Sequence, residues 1–334
     1  MKRLFVILLP LLLAACTLID DDLSVCGKQV LINYQLQLHT ELSVQLQAEL
    51  ATEPELPVRR ALERWLAPIF VDTDIDVDLR FYSAEQDELE VHRTDTLRDK
   101  RTSFTVILPK ENYMHLAVAN VHSSTNIELL DDEHSSTLHL SLPDEPEHHS
   151  LEAGIFSSRL PIEVSDTMQE LQVMMYMINS AVVLVMDTTA CSELAAIDGY
   201  VSGAANGFAV YDSIYDYSAS RAVRMDRVPM AETATSVSRR ARTTDNVPYA
   251  CVAAAVMPTQ DSTAWHITLT STLSGNRHTS TTLTIDEPLQ AGSLRLIKLA
   301  MGEDGGLTPV SDNTEVGATV ELDWKKGDDH DIEI

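Results

Sequence analysis

Basic side chains are scarce in this sequence: 24 lysines and arginines stand against 51 aspartates and glutamates, giving a net charge of -27. A chain so negative repels polyanions, so nucleic acid and anionic lipid surfaces are not expected partners. Neither a glycine-rich phosphate loop nor a dinucleotide fingerprint occurs, and no cofactor is expected. Long apolar runs are missing too. A membrane-spanning helix needs about 20 apolar residues, and the stretch from Leu4 to Leu13 is shorter and interrupted by Pro10. Cysteines number only four, Cys16, Cys26, Cys191 and Cys251, too few for a disulfide-built scaffold.

What is present begins with a leader. Lys2 and Arg3, the apolar stretch and the closing Leu13-Ala14-Ala15-Cys16 have the layout of an export signal, which predicts residues 1–15 as a signal peptide cleaved between Ala15 and Cys16. The aliphatic residue, two small residues and cysteine resemble the lipobox of bacterial lipoproteins, which implies a lipid on Cys16; the alternative is an ordinary signal peptide with an incidental cysteine. Residues 16–28 then form an acidic tether containing Asp20, Asp21 and Asp22. That run resembles the signals sending lipoproteins of the Bacteroidetes to the outer face of the outer membrane, and a plain charged linker is its alternative. In an exported chain Cys191 and Cys251 could form a disulfide, or stay as buried thiols within strands.

Period-two alternation dominates the remainder and predicts an all-β chain. Gln29 to Leu38 opens it, and Ile75 to Tyr82 places Ile75, Val77, Leu79 and Phe81 on one face. Shorter candidates follow at Leu89 to His92, Ser103 to Leu108, Tyr113 to Ala119 and Thr137 to Leu142, with Pro109 to Asn112 read as a hairpin turn. One segment changes period: from Pro57 to Phe70, Leu62, Trp65, Leu66 and Ile69 share a helical face, interrupted at Pro68. The polar, proline-containing stretch Pro143 to Ser150 is the predicted linker, dividing residues 29–150 from residues 151–334. In the second part strands are expected at Ile162 to Val164, Glu170 to Ile178, Ala181 to Asp187, Ala196 to Ser202, Gly207 to Tyr211, Tyr249 to Met257, Trp265 to Thr272, Thr279 to Ile285, Leu294 to Leu299, Thr319 to Trp324 and Asp331 to Ile334. Between them Ala231 to Asn246 reads as a mobile loop carrying the basic cluster Arg239, Arg240 and Arg242.

Catalytic and metal chemistry find little support. Asp72, Asp74, Asp76 and Asp78 alternate as in a calcium loop, but Val77 stands where the sharp turn needs glycine and Ser83 where the final acid belongs. The four aspartates therefore read as the wet face of a strand. His134, His139, His148 and His149 lack metal-ligand spacing. Ser202 precedes Gly203 without the glycine two residues earlier that a nucleophile elbow requires. The chain is expected to be neither an enzyme nor a metalloprotein.

Several segments in order carry a family resemblance: the lipobox, the acidic leader Asp21 to Cys26, the strand Val77 to Tyr82 with its acidic turn, the strand-turn-strand Val106 to Asn120, and the closing stretch Val320 to Ile334. Together they resemble the FimB-like anchor and accessory subunits of fimbrillin-type (type V) pili in the Bacteroidia. The pattern departs at Gly27, where proline commonly follows the cysteine, and at Asn112, where glycine is common. The resemblance implies two tandem β-sandwich domains of transthyretin-like topology with one short helix in the first. It implies an outer-membrane lipid anchor at the cell surface, and pilin (fimbrillin) subunits of the same fimbria as partners, joined by strand exchange. Asp331, Ile332, Glu333 and Ile334 are the expected subunit contact, with an ordinary edge strand as the alternative. A stand-alone surface adhesin binding a host glycan or protein is the competing functional reading.

Overall fold

The computed structural model describes residues 29–39, 50, 51, 53, 55–70, 74–98, 101–122, 126–131, 133–145, 147–168, 170–218, 221–230, 248–310 and 316–323. The signal peptide with Ala15, Cys16, the tether with Cys26, Asp72, the segment 231–246 with its arginines, and Asp331–Ile334 lie outside the described residues.

The first strands are β1 (Gln29–Leu38), β2 (Asp74–Ser83), β3 (Leu89–Arg98), β4 (Arg101–Pro109) and β5 (Asn112–Ala119), with helix α1 (Leu56–Phe70) between β1 and β2. The short strands β6 (Glu128–Leu130), β7 (His139–Ser141) and β8 (His148–His149) precede β9 (Phe156–Glu163) and β10 (Glu170–Met177). Then come β11 (Ser180–Asp187), β12 (Leu194–Ser202), β13 (Gly207–Ala209), β14 (Ile214–Asp216), β15 (Val223–Arg224) and β16 (Asp226–Arg227). The last are β17 (Tyr249–Val256), β18 (Trp265–Leu273), β19 (Arg277–Ile285), β20 (Leu294–Met301), β21 (Leu307–Pro309) and β22 (Val316–Asp323). The chain is mostly strand, and the helix stands where the period changes.

Seven strands close a barrel in the order β1-β10-β9-β5-β2-β3-β4. Its closure is uneven. β1 pairs along its length with β4 and, in parallel, with β10, while β2 and β5 pair with each other and with β3 and β9 respectively. β3 meets β4 only at Arg98 and Arg101, and β9 meets β10 only at Ser157–Tyr176 and Phe156–Met177. Hydrogen bonding therefore divides the barrel into a four-stranded layer, β3-β2-β5-β9, facing a three-stranded layer, β4-β1-β10, joined at two corners. Inward side chains alternate as the sequence required: Val30, Ile32, Tyr34, Leu36 and Leu38 of β1 are all buried.

Three more sheets complete the molecule: β16-β17-β11-β20-β21, β22-β19-β18-β12-β15-β8 and β14-β13-β7-β6. β11 and β17 are buried on both faces, which explains their unbroken apolar runs. Val183, Val185, Ala253 and Ala255 join the core shared with the barrel, whereas Val182, Leu184, Val252 and Ala254 pack toward Trp265, Ile267 and Leu269 of β18. One sheet thus serves two cores. At about 1.5–3 kcal/mol for each buried large aliphatic side chain, this shared layer contributes heavily to stability. Helix α1 adds Val58, Ala61, Leu62, Leu66 and Ile69 to the barrel core, with Trp65 half-buried at its edge.

Three expectations need correction. The linker at Pro143 to Ser150 does not divide the sheets, because β9 and β10 beyond it complete the barrel begun by β1, while β7 and β8 pair with β13 and β15. Backbone hydrogen bonds pin the stretch and its flanks: Leu142 N to Asn206 O at 2.8 Å, His148 N to Ala222 O at 3.2 Å and Leu151 N to Ala255 O at 2.9 Å. Pro109 to Asn112 does form a turn, but not a hairpin, since β4 pairs with β1 and β5 with β2 and β9. The disulfide is not formed either. Cys191 and Cys251 are buried free thiols packed into different cores, on opposite sides of the β11–β17 layer.

Candidate binding groove

A polar chain runs through the barrel interior. Tyr34 Oη lies 2.7 Å from His115 Nε2, and His115 Nδ1 lies 2.9 Å from the Arg80 carbonyl. A carbonyl only accepts, so Nδ1 carries the proton and Nε2 accepts from the tyrosine. Full burial pushes the His115 imidazole down to about 4, and desolvation raises the Tyr34 phenol, so both stay neutral. Phe81 stacks on His115 at 4.2 Å and Phe104 on Tyr34 at 4.7 Å. This chain is sealed within the core.

Outside the barrel, β2 carries a charged network that corrects the wet-face reading of its aspartates. Asp78 is only 1% exposed. Arg80 Nε donates to Asp78 Oδ1 at 2.7 Å, and the same guanidinium pairs with Asp131. His92 Nε2 and His122 Nε2 approach Asp78 Oδ2 at 2.8 and 3.2 Å, while the His122 amide donates to Asp76. Burial alone would raise the Asp78 carboxyl, but hydrogen bonds from Arg80 and His92 outweigh it and hold it below its ordinary value. A buried carboxylate needs such partners. The missed signal was Arg80, two residues along on the same strand face.

The other sequence-derived candidates do not converge. His134 lies against the Asp87 carbonyl at 2.8 Å, His139 against the Thr137 carbonyl at 2.7 Å, and His148 is buried where β8 pairs with β15. Ser202 ends β12, with its hydroxyl 3.4 Å from the His266 carbonyl.

The two loose corners of the barrel differ. At β3–β4 the Arg93 guanidinium sits 3.9 Å from the centre of the Phe104 ring, and β3 exposes Glu90, His92 and Arg93. Charge and a covered ring close that side. At β9–β10 the strands part after two register pairs, leaving a groove of about 620 Å³. Arg159 and Leu160 line it from β9, and Gln172, Met174 and Tyr176 from β10. Phe208 and Tyr215, from the four-stranded sheet, line its end. Tyr215 Oη donates to the Ile178 carbonyl at 2.9 Å, which fixes that end. Tyr176 is 57% exposed and Met174 38%, unusual for adjacent outward positions on one strand. The Arg159 guanidinium lies 5.2 Å from the centre of the Tyr211 ring. No lining residue is acidic. No local residue pattern marks this groove, because it arises from the divergence of two strands.

No family model matches the chain, and no curated protein is found to be similar to it. Solved structures do resemble it. A Bacteroides thetaiotaomicron protein provisionally described as polysaccharide-binding matches over 84% of this chain and 99% of its own, with a TM-score of 0.53 at 10% identity. The fimbrial anchor protein Mfa2 of Porphyromonas gingivalis matches over 88% and 99%, with a TM-score of 0.45 at 9% identity. The tip fimbrial protein Mfa3 of the same organism matches over 89% and 100%, with a TM-score of 0.40 at 10% identity. The structural neighbours thus include fimbrial anchor and tip proteins. At 10% identity the likeness to the Bacteroides thetaiotaomicron protein shows the fold alone.

Proposed function

We propose that this chain is an outer-membrane lipoprotein acting as an anchor or accessory subunit of a fimbria. In this reading a lipid on Cys16 holds the membrane and a sheet margin holds the neighbouring pilin subunit, so the protein resides at the cell surface within the fimbrium. The observation that carries it is the position of β22. This eight-residue strand ends the six-stranded sheet, no strand is hydrogen-bonded to its outer edge among the described residues, and Asp331–Ile334 follow it in the sequence. An unpaired edge offers rows of backbone donors and acceptors that an added strand satisfies. The leader sequence supports the membrane half of the reading, and the two-layered arrangement suits stacked sandwiches of transthyretin-like topology. The role is one of binding and anchoring rather than catalysis, with no cofactor and no nucleic acid.

The test is co-purification with pilin from cells carrying the full chain, Cys16→Ala, or a chain ending at Asp323. Cys16→Ala should release the protein or its fibres into the medium, and truncation should abolish co-purification while leaving the protein on the cell. Cell-bound Cys16→Ala protein with unchanged fibres would overturn the anchoring role. The β9–β10 groove favours a second reading, a surface adhesin that binds a glycan or protein without a pilus; recovery of the protein free of pilin from fimbriated cells would support that one.

A further inference from the structure

The groove between β9 and β10 has no part in the contact assigned to β22, yet it leaves the apolar side chains of Tyr176 and Met174 uncovered on the barrel's outer surface. We propose that it binds a short acidic oligosaccharide. The inference rests on the cell-surface reading for its setting but on the groove alone for its chemistry.

Sugar rings present flat C–H faces edged by hydroxyls, and they match a site that pairs aromatic faces with a few neutral hydrogen-bonding groups. Tyr176 supplies an exposed ring, and the tilted His39 ring packs against it at 5.2 Å between centroids. Met174 and Leu160 extend the apolar floor. Ser158, Ser213 and the Gln172 amide oxygen border that floor and can exchange hydrogen bonds with ring hydroxyls, while the Gln172 amide nitrogen donates to Glu170 at 3.2 Å. The volume falls within the range of small-ligand sites, roughly 300–1,000 Å³. It suits a short oligosaccharide, and the Tyr215 end wall stops a longer chain from running through.

Acidity follows from charge. In a chain of net charge -27 the groove is lined by no acid, and Arg159 is its one charged residue among the described ones. Glu170, nearby on β10, has its carboxylate drawn aside by the Gln35 amide at 2.6 Å. Arg159 has no acidic partner among the described ion pairs and rests over Tyr211, which leaves its planar donor fork ready for a sugar carboxylate. A peptide strand is the other conceivable occupant, since β10 has an unpaired edge here. β9 is less suited to one: Pro161 removes a backbone donor on that side.

The experiment uses the purified full-length protein and an oligosaccharide array whose members carry or lack uronic or sialic acid, followed by calorimetry on the best acidic ligand and its neutral counterpart. Tyr176→Ala should weaken both by about tenfold or more, whereas Arg159→Ala should weaken the acidic ligand about tenfold and leave the neutral one within about twofold. Arg159→Lys should recover part of the loss. Both residues lie at the surface, and unchanged thermal midpoints exclude misfolding. No acidic glycan bound above the level of Tyr176→Ala protein would overturn the proposal. So would undiminished binding by Arg159→Ala, or protection of the groove only by a pilin-derived peptide. Binding measured on Cys16→Ala protein separates this outcome from that of the anchoring role, because neither result depends on the other.

Discussion

Acidification should loosen the barrel through His115, and the size of the effect follows from its surroundings. The imidazole is fully buried, accepts from Tyr34 and donates to the Arg80 carbonyl, so a second proton would force the Tyr34 hydroxyl to turn from donor to acceptor and would place a charge where burial shuts out solvent. Its folded value near 4 lies below the ordinary 6.5. Between those values the unfolded chain binds a proton that the folded chain refuses. Stability from this group is therefore complete above about pH 6.5 and is lost as pH falls toward 4. Lowering the pH from about 7.5 to about 4.5 removes about 2.5 kcal/mol, a large share of a typical folding free energy. Urea unfolding of the wild type and of His115→Phe at both pH values measures it. Phenylalanine keeps the stack on Phe81 but leaves the Tyr34 hydroxyl without its partner and takes one donor from the Arg80 carbonyl, which stays in the β2–β5 ladder, at about 1–3 kcal/mol in all, independent of pH. The variant should be weaker at neutral pH, and its deficit should shrink by about 2.5 kcal/mol on acidification, other groups cancelling in the difference. A deficit that stays constant with pH, or a His115 resonance titrating near 6.5 in the folded protein, would refute the reasoning.

Asp78→Ala strands the buried Arg80 guanidinium with Asp131 as its remaining carboxylate and should cost about 3–5 kcal/mol in urea unfolding, whereas Asp78→Asn, which keeps the shape and one acceptor, should cost less. Gly154→Ala would bring a methyl group within 2.1 Å of the Ile69 carbonyl, at the end of α1, and should lower stability by about 1–3 kcal/mol, seen as a lower thermal midpoint. Cys251, pushed up to about 12 by burial, and Cys191 should resist alkylation in the native protein and label fully in denaturant, with a mass shift for both; a native mass consistent with a bond between them would contradict the structure.

Local periodicity made the strands and the helix legible, and long-range pairing stayed hidden. β1 has the bounds and the alternating burial that its sequence dictates, and β11 runs from Ser180 to Asp187 where an apolar run began at Ala181. β9 was foreseen only from Ile162, because Phe156 to Pro161 mixes serines, an arginine and a proline with no clean alternation. That β10 returns to lie parallel to β1, pairing Asn33 with Glu170, depends on contacts far apart in sequence that no local pattern encodes. Asp78 shows the same limit in miniature. Alternation correctly placed it opposite Val77 and Leu79, but the outer face of β2 is covered by the segment carrying His122 and Asp131, and only the tertiary fold brings them there.

The contrast among free sheet margins argues that those left open are functional. A protein with exposed strand edges risks pairing with its own copies, and charge, proline and cover are the usual safeguards. β3 has all but the proline: Arg93 covers Phe104, and exposed charged residues alternate along the strand. β9 has Pro161 and exposes Arg159 and Glu163. β22 differs. Its first five residues, Val316 to Val320, contain no charge and no proline, its exposed positions Gly317, Ala318 and Thr319 are small, and its charges, Glu321 and Asp323, are confined to its last three residues. Such an edge invites a partner strand unless its own chain or another subunit covers it. The β9–β10 corner is open in another sense, since its backbone is partly blunted while Tyr176 and Met174 remain bare. The β22 margin and the β9–β10 groove therefore lie on different sheets, so the two proposed contacts would not compete for the same surface.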